Sequence, residues 1–440
     1  MSTIFALSSA PGPAGVAVLR VSGPEAGRAV RALAGRMPEP RMATVAALRR
    51  ADGTLLDRSL LLWFPAPASV TGEDVAEFQV HGGRAVVRAV LDELAAVPGL
   101  RLAEPGAFTR RAFHNGKLDL TQVEALADLV QSETEGQRRQ AMRQLEGALA
   151  ERLERWRTEV LRALAHVEAA IDFAENEVPA ETLAAAAVHI HRLVPEMEET
   201  LTESGRGERL RVGLQIAIVG APNVGKSSLL NALAGREAAI VSARAGTTRD
   251  IVEVRLDLDG VPVTLADTAG LRDSHDEIEA EGVRRANARA READIVVCVF
   301  DAVAWPAADA RTLAWAGPEA VRVVNKVDVR PVSVDGVGQD QVWPVSARTG
   351  EGIRSFVQGL SATAHVRAGL AEEPGLTRVR HRQALSECVA SLRRFLRGSQ
   401  ELALRAEDLR LGARALGRIT GRVDVEDLLD VVFRDFCVGK

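Results

Sequence analysis

A chain of 440 residues is longer than one hydrophobic core ordinarily organises, so two or three domains are expected. With 47% apolar and 26% charged residues its composition is that of a globular chain, and no apolar run approaches the length of a membrane span. The formal net charge of -5 excludes nucleic-acid binding by bulk charge and leaves it to a local basic surface.

The opening "MSTIFALSSA" holds a short apolar stretch with no Lys or Arg before it, which argues against a secretory signal. Strand-like runs "GVAVLRVSG", "SLLLWFPA" and "VAEFQVHG" then alternate with helical stretches such as "GRAVVRAVLDELAAV", predicting a small α/β domain over residues 1–115. From "KLDLTQVEALADLVQSE" the pattern is helical over residues 116–210, with Val123, Leu126, Ala127 and Val130 on one face. Residues 211–364 repeat strand then helix, as a doubly wound parallel sheet does, and residues 365–440 return to helix. Helical material on both sides of a compact α/β segment implies that the latter is inserted into the former.

Cys298, Cys388 and Cys437 have no metal-ligand spacing and leave one unpaired in any disulfide scheme, which fits a reduced, cytoplasmic compartment. Cys298, in "IVVCVF", and Cys388, in a helical pattern, read as core residues. Cys437 stands in "FRDFCVGK". There Lys440 on flexible Gly439 favours the thiolate while Asp435 and a terminal carboxylate oppose it, so the sign of its pKa shift stays open.

The run "IAIVGAPNVGKSSLLNALAG" joins an apolar strand, Gly220-x-x-x-x-Gly225-Lys226-Ser227 and a helix, which is the P-loop pattern in its required context. Small residues let successive backbone N–H groups curl around phosphate oxygens at a positive helix end. Lys226 then neutralises the β and γ phosphates, and Ser227 ligates Mg²⁺. Downstream stand "GTTRD" (Gly246 to Asp250), "DTAG" (Asp267, Thr268, Ala269, Gly270), "NKVD" (Asn325, Lys326, Asp328) and "SAR" (Ser346, Ala347, Arg348). Their order fits one nucleotide pocket at the carboxyl edge of a parallel sheet. The Asp328 carboxylate suits guanine's N1–H and exocyclic amine, which favours GTP over ATP. Thr248 is the natural second Mg²⁺ ligand, in a segment that switches with the γ-phosphate. Ras-like proteins orient water with a glutamine after DxxG, but Leu271 stands there, so a carboxylate of "LRDSHDEIEAEGVRRA" is a candidate substitute.

"GAPNVGKSSLLNAL", "GTTRD", "DTAGLR" and the final "CVGK" together resemble the tRNA modification GTPase family known as MnmE or TrmE. So do "PGPAGVAVLRVSG", "TGEDVAEFQVHGG", "FHNGKLDLTQVEALADL" and "EAAIDF", and the likeness therefore spans essentially the whole chain. It implies an N-terminal folate-binding dimerisation domain, a helical domain, and a Ras-like G domain inserted in the helical one. It also implies work with an FAD-dependent partner, MnmG (GidA), in a heterotetramer. Together they install a carboxymethylaminomethyl-type group at C5 of the tRNA wobble uridine, with a 5-formyl or 5,10-methylene tetrahydrofolate as carbon donor.

By the same resemblance Asn223, with Val224, Ser228 and the loop Ser242, Ala243, Arg244, Ala245, Gly246 and Thr247, holds the nucleotide and a K⁺ ion. An ion there supplies the positive charge that other GTPases take from an arginine finger. Arg244 departs from the apolar or small residue usual in that loop, which bears on K⁺ dependence. Glu279 matches the water-orienting glutamate, Arg20, Glu77, Lys117 and Lys440 match folate positions, and Cys437 is needed for modification rather than hydrolysis. Two other readings share these motifs: a GTP-dependent switch of the ribosome-maturation type, and a folate-dependent one-carbon transferase. The first calls for a KH-type appendage, and no GXXG loop in such a context follows residue 360. Basic stretches "TRVRHRQ" and "RRFLR" suit RNA phosphates or solvated helix faces alike.

Overall fold

The structure is a computed structural model and describes residues 2–172, 180–235, 253–267, 288–307, 309–332, 342–369, 375–398, 401–423, 429, 432, 433, 436 and 439. The chain divides into two compact units: residues 1–127, 145–164 and 409–440 form one, and residues 128–144 and 165–408 the other.

The first unit is built on a six-stranded sheet of order β3-β4-β5-β2-β1-β6. Its strands are β1 (Thr3–Leu7), β2 (Ala17–Ser22), β3 (Thr44–Arg49), β4 (Leu55–Phe64), β5 (Val75–Val80) and β6 (Leu100–Leu102). Pairing is antiparallel except for the parallel β1–β6 contact. In β2 the period-2 alternation is plain: Ala17, Leu19 and Val21 are buried while Val18 and Arg20 are half-buried on the opposite face. Helices α1 (Ala26–Ala34) and α2 (Arg84–Ala96) cover the first face, where Phe5, Leu19, Leu61, Phe78, Val90 and Leu94 form the core. On the other face Ile4 and Ala6 meet Phe108 of α3 (Ala107–His114).

α4 (Leu120–Gln131) contributes Leu120 and Val123 to a cluster with Leu429, Phe433 and Phe436, which Leu126 and Ala127 flank. Val130, expected on the same face, is exposed in the last turn. Gly106, at φ +70°, admits the later segment: a Cβ there would lie 2.9 Å from Phe433 Cδ1. The first strand is an element that the short apolar run near the start did not disclose.

The second unit holds a six-stranded sheet of order β12-β11-β10-β7-β9-β8, parallel but for the edge strand β8. Its strands are β7 (Leu214–Val219), β8 (Glu253–Leu258), β9 (Val261–Asp267), β10 (Ile295–Asp301), β11 (Val321–Asn325) and β12 (Val342–Val345). After β7 the chain lays β8 and β9 on one side and then crosses to β10 on the other. The topological switch point of the sheet thus falls at the carboxyl end of β7, where such sheets bind ligands. Helices α8 (Lys226–Ala234) and α10 (Ile353–Ala368) cover the core of Ile216, Ile218, Leu229, Val263, Val299 and Phe356, while α9 (Ala310–Leu313) is one turn.

The helical part of this unit comprises α5 (Glu135–Leu145), the later end of α6 (Ala148–Asp172), α7 (Ala180–Val212), α11 (Val379–Arg397) and the start of α12 (Leu402–Thr420). α11 packs back on α7, with ion pairs Arg382–Glu208 at 2.8 Å and Arg393–Glu198 at 2.5 Å. The sheet is therefore threaded between two helices that pack together, which is the insertion read from the sequence.

Candidate nucleotide site and N-terminal polar cluster

Backbone geometry makes the loop after β7. Asn223 has φ +61° and Gly225 φ +95°. A Cβ on Gly225 would lie 2.3 Å from Asn325 Nδ2, and one on Gly220 2.6 Å from the Val299 carbonyl oxygen, so only glycine fits either position. Lys226, the first residue of α8, is buried, and its Nζ donates to the Gly220 and Ala221 carbonyls at 2.9 Å each. Ser227 and Ser228 follow it, exposed, at the helix start, where hydroxyls can face a metal-bound phosphate.

Strand ends on the other side brace this loop. Asn325 Nδ2 donates to the Val224 carbonyl at 2.9 Å and its Oδ1 accepts from Ala347 N at 3.0 Å, so one buried amide ties three motifs together. Lys326 Nζ donates to the Asn223 carbonyl and to Asp301 Oδ2, both at 2.7 Å. Partial burial pushes the Asp301 carboxyl up, but the Lys326 side chain and the Val303 N–H outweigh it and hold it below the usual range. Asp328 Oδ1 accepts from Ser346 Oγ at 2.5 Å and Oδ2 pairs with the Arg348 guanidinium. The Ser346 bond first, and Arg348 after it, hold the Asp328 carboxyl low against partial desolvation, so it stays an acceptor at neutral pH.

The structure thus brings together Asn223, Val224, Gly225, Lys226, Ser227, Ser228, Asn325, Lys326, Asp328, Ser346, Ala347 and Arg348. Asp267 closes β9 in register with Ile218 of β7. Ser242, Ala243, Arg244, Ala245, Gly246, Thr247, Thr248, Thr268, Ala269, Gly270 and Glu279 lie outside the described residues. Among the described residues no group of three or more His, Cys, Asp or Glu is placed to hold a metal. Asp301 escaped the sequence reading; its position at the end of β10, beside Asn325 of β11, is the signal.

In the first unit Arg20 and Glu77 are cross-strand neighbours on β2 and β5. Arg20 Nε and Nη2 donate to Glu77 Oε1 at 2.9 and 2.8 Å, which leaves Oε2 for another donor. The Arg20 guanidinium lies 5.8 Å from the Phe108 ring centre. Next along β2, Ser22 Oγ meets Thr71 Oγ1 at 2.8 Å and donates to Glu73 Oε2 at 2.9 Å. Arg111 Nη1 donates to the same Glu73 oxygen at 2.5 Å and to the Ser22 carbonyl at 3.0 Å.

Asn115 Nδ2 donates to the Thr71 carbonyl at 2.7 Å. Lys117, exposed, stands beside this loop: a Cβ on Gly72 would lie 3.3 Å from its Cε. Phe108, Arg111 and Asn115 are one stripe at helical spacing, so α3 grips the Thr71–Glu73 loop and the Arg20 guanidinium along one line. That stripe was the readable sign of Arg111, which sequence reasoning passed over. Cys437 and Lys440 lie outside the described residues; their neighbour Gly439 accepts from Ser8 Oγ at 2.8 Å. Cys298 and Cys388 are buried as expected, and burial pushes their thiols up to about 11 and about 12.

Two family models match the chain: "GTP-binding protein TrmE N-terminus" over residues 3–117 and "MnmE helical domain" over residues 120–437. The chain is 56% identical over 446 residues to the tRNA modification GTPase MnmE of Parvibaculum lavamentivorans, covering 100% of both chains. To the protein of the same name from Paramagnetospirillum magneticum it is 55% identical over 443 residues, covering 100% of this chain and 99% of that one. Among solved structures, the FeoB G-domain from Methanococcus jannaschii is 22% identical over 34% of this chain and 97% of its own, with a TM-score of 0.27, too low to add weight. With both family models matched along its length and relatives more than half identical from end to end, the chain belongs to the MnmE (TrmE) family of tRNA modification GTPases.

Proposed function

We propose that the protein is a K⁺-activated GTPase that, with an FAD-dependent MnmG-type partner, modifies C5 of the tRNA wobble uridine using a tetrahydrofolate one-carbon unit. The observation that carries this is the braced pocket around Asp328: a low-pKa carboxylate fixed for guanine, joined through Asn325 to the loop that ends on Lys226. Domains at residues 1–115, 116–210, 211–364 and 365–440 belong to the same reading.

The phosphates of GTP sit on the N–H groups at the start of α8, and their arrival draws Lys226 from the Gly220 and Ala221 carbonyls. Ser227 and Thr248 would hold Mg²⁺, and Asn223, Ser242, Thr247 and the backbone carbonyl of Arg244 would hold K⁺. These ions supply positive charge where the transferring phosphate becomes more negative. Glu279 accepts a hydrogen bond from the attacking water and orients it.

The N-terminal cluster supports the folate reading. Glu77 Oε2 is open to a pterin N–H, while Arg20, Lys117 and Lys440 offer cations to formyl or glutamyl oxygens. Self-association through the N-terminal domain is supported by paired apolar side chains on the uncovered sheet face, where Val45 lies opposite Leu60 and both are exposed. Cys437 serves at the uridine as nucleophile or acid/base. Among the described residues no helix is long and apolar enough to cross a membrane.

The test is reconstitution with partner, FAD, folate and undermodified tRNA, read by mass spectrometry of the wobble nucleoside. Modification that requires GTP and is lost in Cys437→Ser with GTP hydrolysis intact supports the reading. Hydrolysis lost together with modification in that variant contradicts the role given to Cys437.

A further inference from the structure

The basic stretches that stood out in the sequence are engaged in ion pairs. Arg378 meets Asp128, Arg382 meets Glu208 and Arg394 meets Asp408, each at 2.8 Å. A row of arginines that did not stand out lies in the end of α12 that belongs to the first unit. Arg410, Arg414, Arg418 and Arg422 recur every fourth residue, and residues 409–423 hold no Asp or Glu. Fourth residues share a helix face, so the first three form a line about 12 Å long. Leu409, Ala413, Leu416 and Ile419 are buried and turn that line outward. Arg410, Arg414 and Arg422 are exposed, and Arg418 is half-buried.

The start of α6 adds to the row. A Cβ on Gly417 would lie 3.9 Å from Arg157 Nε. Glu154 Oε1 is shared by Arg157 Nη1 at 3.3 Å and Arg422 Nη1 at 3.4 Å, so one carboxylate answers two guanidiniums. Arg410, Arg414 and Arg418 each also have a partner within the fold, and a guanidinium so held keeps some of its five N–H donors for an outside phosphate.

We propose that this row, with Arg157 beside it, is a docking surface for the phosphate backbone of tRNA; this rests on the reading of tRNA as the substrate. A chain of net charge -5 holds a polyanion only where it presents a local basic surface. Arginine forks suit phosphate oxygens in pairs, and an acid-free line suits an anion that repeats along a strand. Among residues 409–423 the exposed apolar side chain is Leu411, at 41%, too little to enter a lipid headgroup layer.

Fluorescence anisotropy of a labelled tRNA transcript, titrated with the full-length protein at several KCl concentrations, tests the surface. Arg410→Gln, Arg414→Gln and Arg418→Gln are made singly and together; glutamine keeps the helix propensity and removes the charge. Each phosphate contact contributes about 0.7–0.9 to the slope of log affinity against log salt. The triple variant should lose about 2–3 of that slope, so its deficit against the parent widens about 20- to 40-fold from about 200 to about 50 mM KCl. Arg354→Gln, which removes an exposed charge from α10, should leave the slope unchanged. GTP hydrolysis should stay at the parent rate in every variant.

Parent affinity and slope in the triple variant overturn the proposal, as does a loss no larger than that of Arg354→Gln. Lost binding to phosphatidylglycerol vesicles with tRNA binding intact overturns it in favour of a lipid surface. Where the triple variant melts early, the single variants decide: a slope lower by about 0.7–0.9 in Arg410→Gln and in Arg414→Gln supports the surface, and a parent slope in both contradicts it. A parent protein that binds no tRNA at any salt overturns the tRNA reading and the surface together.

Discussion

The carbonyl oxygen of Gly260 accepts the Gly136 N–H at 3.2 Å and the Thr134 hydroxyl at 2.7 Å, so the first turn of α5 holds the tip of the β8–β9 hairpin. Glu133 and Arg255 add an ion pair at 3.3 Å, and His365 Nε2 bonds the Asp259 carbonyl at 2.9 Å. β8 follows the Ser242–Thr248 segment in the chain and β9 ends on Asp267, so this hairpin links the GTTRD and DTAG stretches of the sequence to the helical part of the unit.

Replacing Gly136 tests that grip by its sign. Gly→Ala inside a helix ordinarily stabilises by about 0.5–1 kcal/mol. Here the new Cβ would lie 2.3 Å from the Gly260 oxygen, and overpacking against backbone costs about 1–3 kcal/mol. Gly136→Ala should therefore lower the melting temperature in scanning calorimetry. Thr134→Val should lower it less, and a rise in Gly136→Ala would show that the hairpin is free.

Asp328→Asn places an N–H where guanine also presents an N–H. Each hydrogen bond to a charged carboxylate is worth about 1.5–3 kcal/mol, so GDP affinity should fall about 100-fold or more. Xanthine nucleotides, with a carbonyl in place of the exocyclic amine, should gain in competition binding. Unchanged GDP affinity would remove Asp328 from base recognition.

The Asp301–Lys326 pair predicts a pH dependence. Partial burial raises the Asp301 pKa, but the hydrogen bonds outweigh it, and the folded value lies below the ordinary 3.8. A depressed carboxyl stabilises the fold above its unfolded pKa, and that contribution is lost as pH falls through the folded value. Asp301→Asn should melt earlier than the parent near about pH 7, with the gap closing as pH falls below the ordinary carboxyl value of 3.8. A constant gap would mean that the ion pair carries none of it.

Glu77→Gln replaces one carboxylate oxygen with a donor and leaves Arg20 a weaker partner. Calorimetric titration with 5-formyltetrahydrofolate should show at least about a tenfold loss of affinity, the worth of one charged hydrogen bond. Arg111→Met, which frees the Glu73 carboxylate and the Thr71–Glu73 loop beside Lys117, should show a loss in the same direction. Parent affinity in both would move the folate site elsewhere.

Residues whose role is written in local backbone geometry were legible before any coordinates. Gly220, Gly225 and Lys226 build a loop from one short run, and β2, β4 and β5 announce themselves by alternation. Contacts made across great sequence separation were not. Ser8 meets Gly439, Arg111 meets Glu73 and Gly136 meets Gly260 only because sheet register and helix packing bring them together. β1 was missed because five residues carry too little period to separate strand from coil. Val130 shares the helical spacing of Val123 and Ala127 but lies exposed in the last turn, outside the cluster of described residues.

The most direct measurement is GTP hydrolysis by the full-length protein in matched buffers with K⁺ or Na⁺ as the sole alkali cation, beside Glu279→Ala. Hydrolysis at least about tenfold faster in K⁺, lost in Glu279→Ala while GTP binding persists, is the result expected of an ion that takes the place of an arginine finger. Equal rates in the two salts would contradict it and point to Arg244 as the charge that occupies the place of the ion.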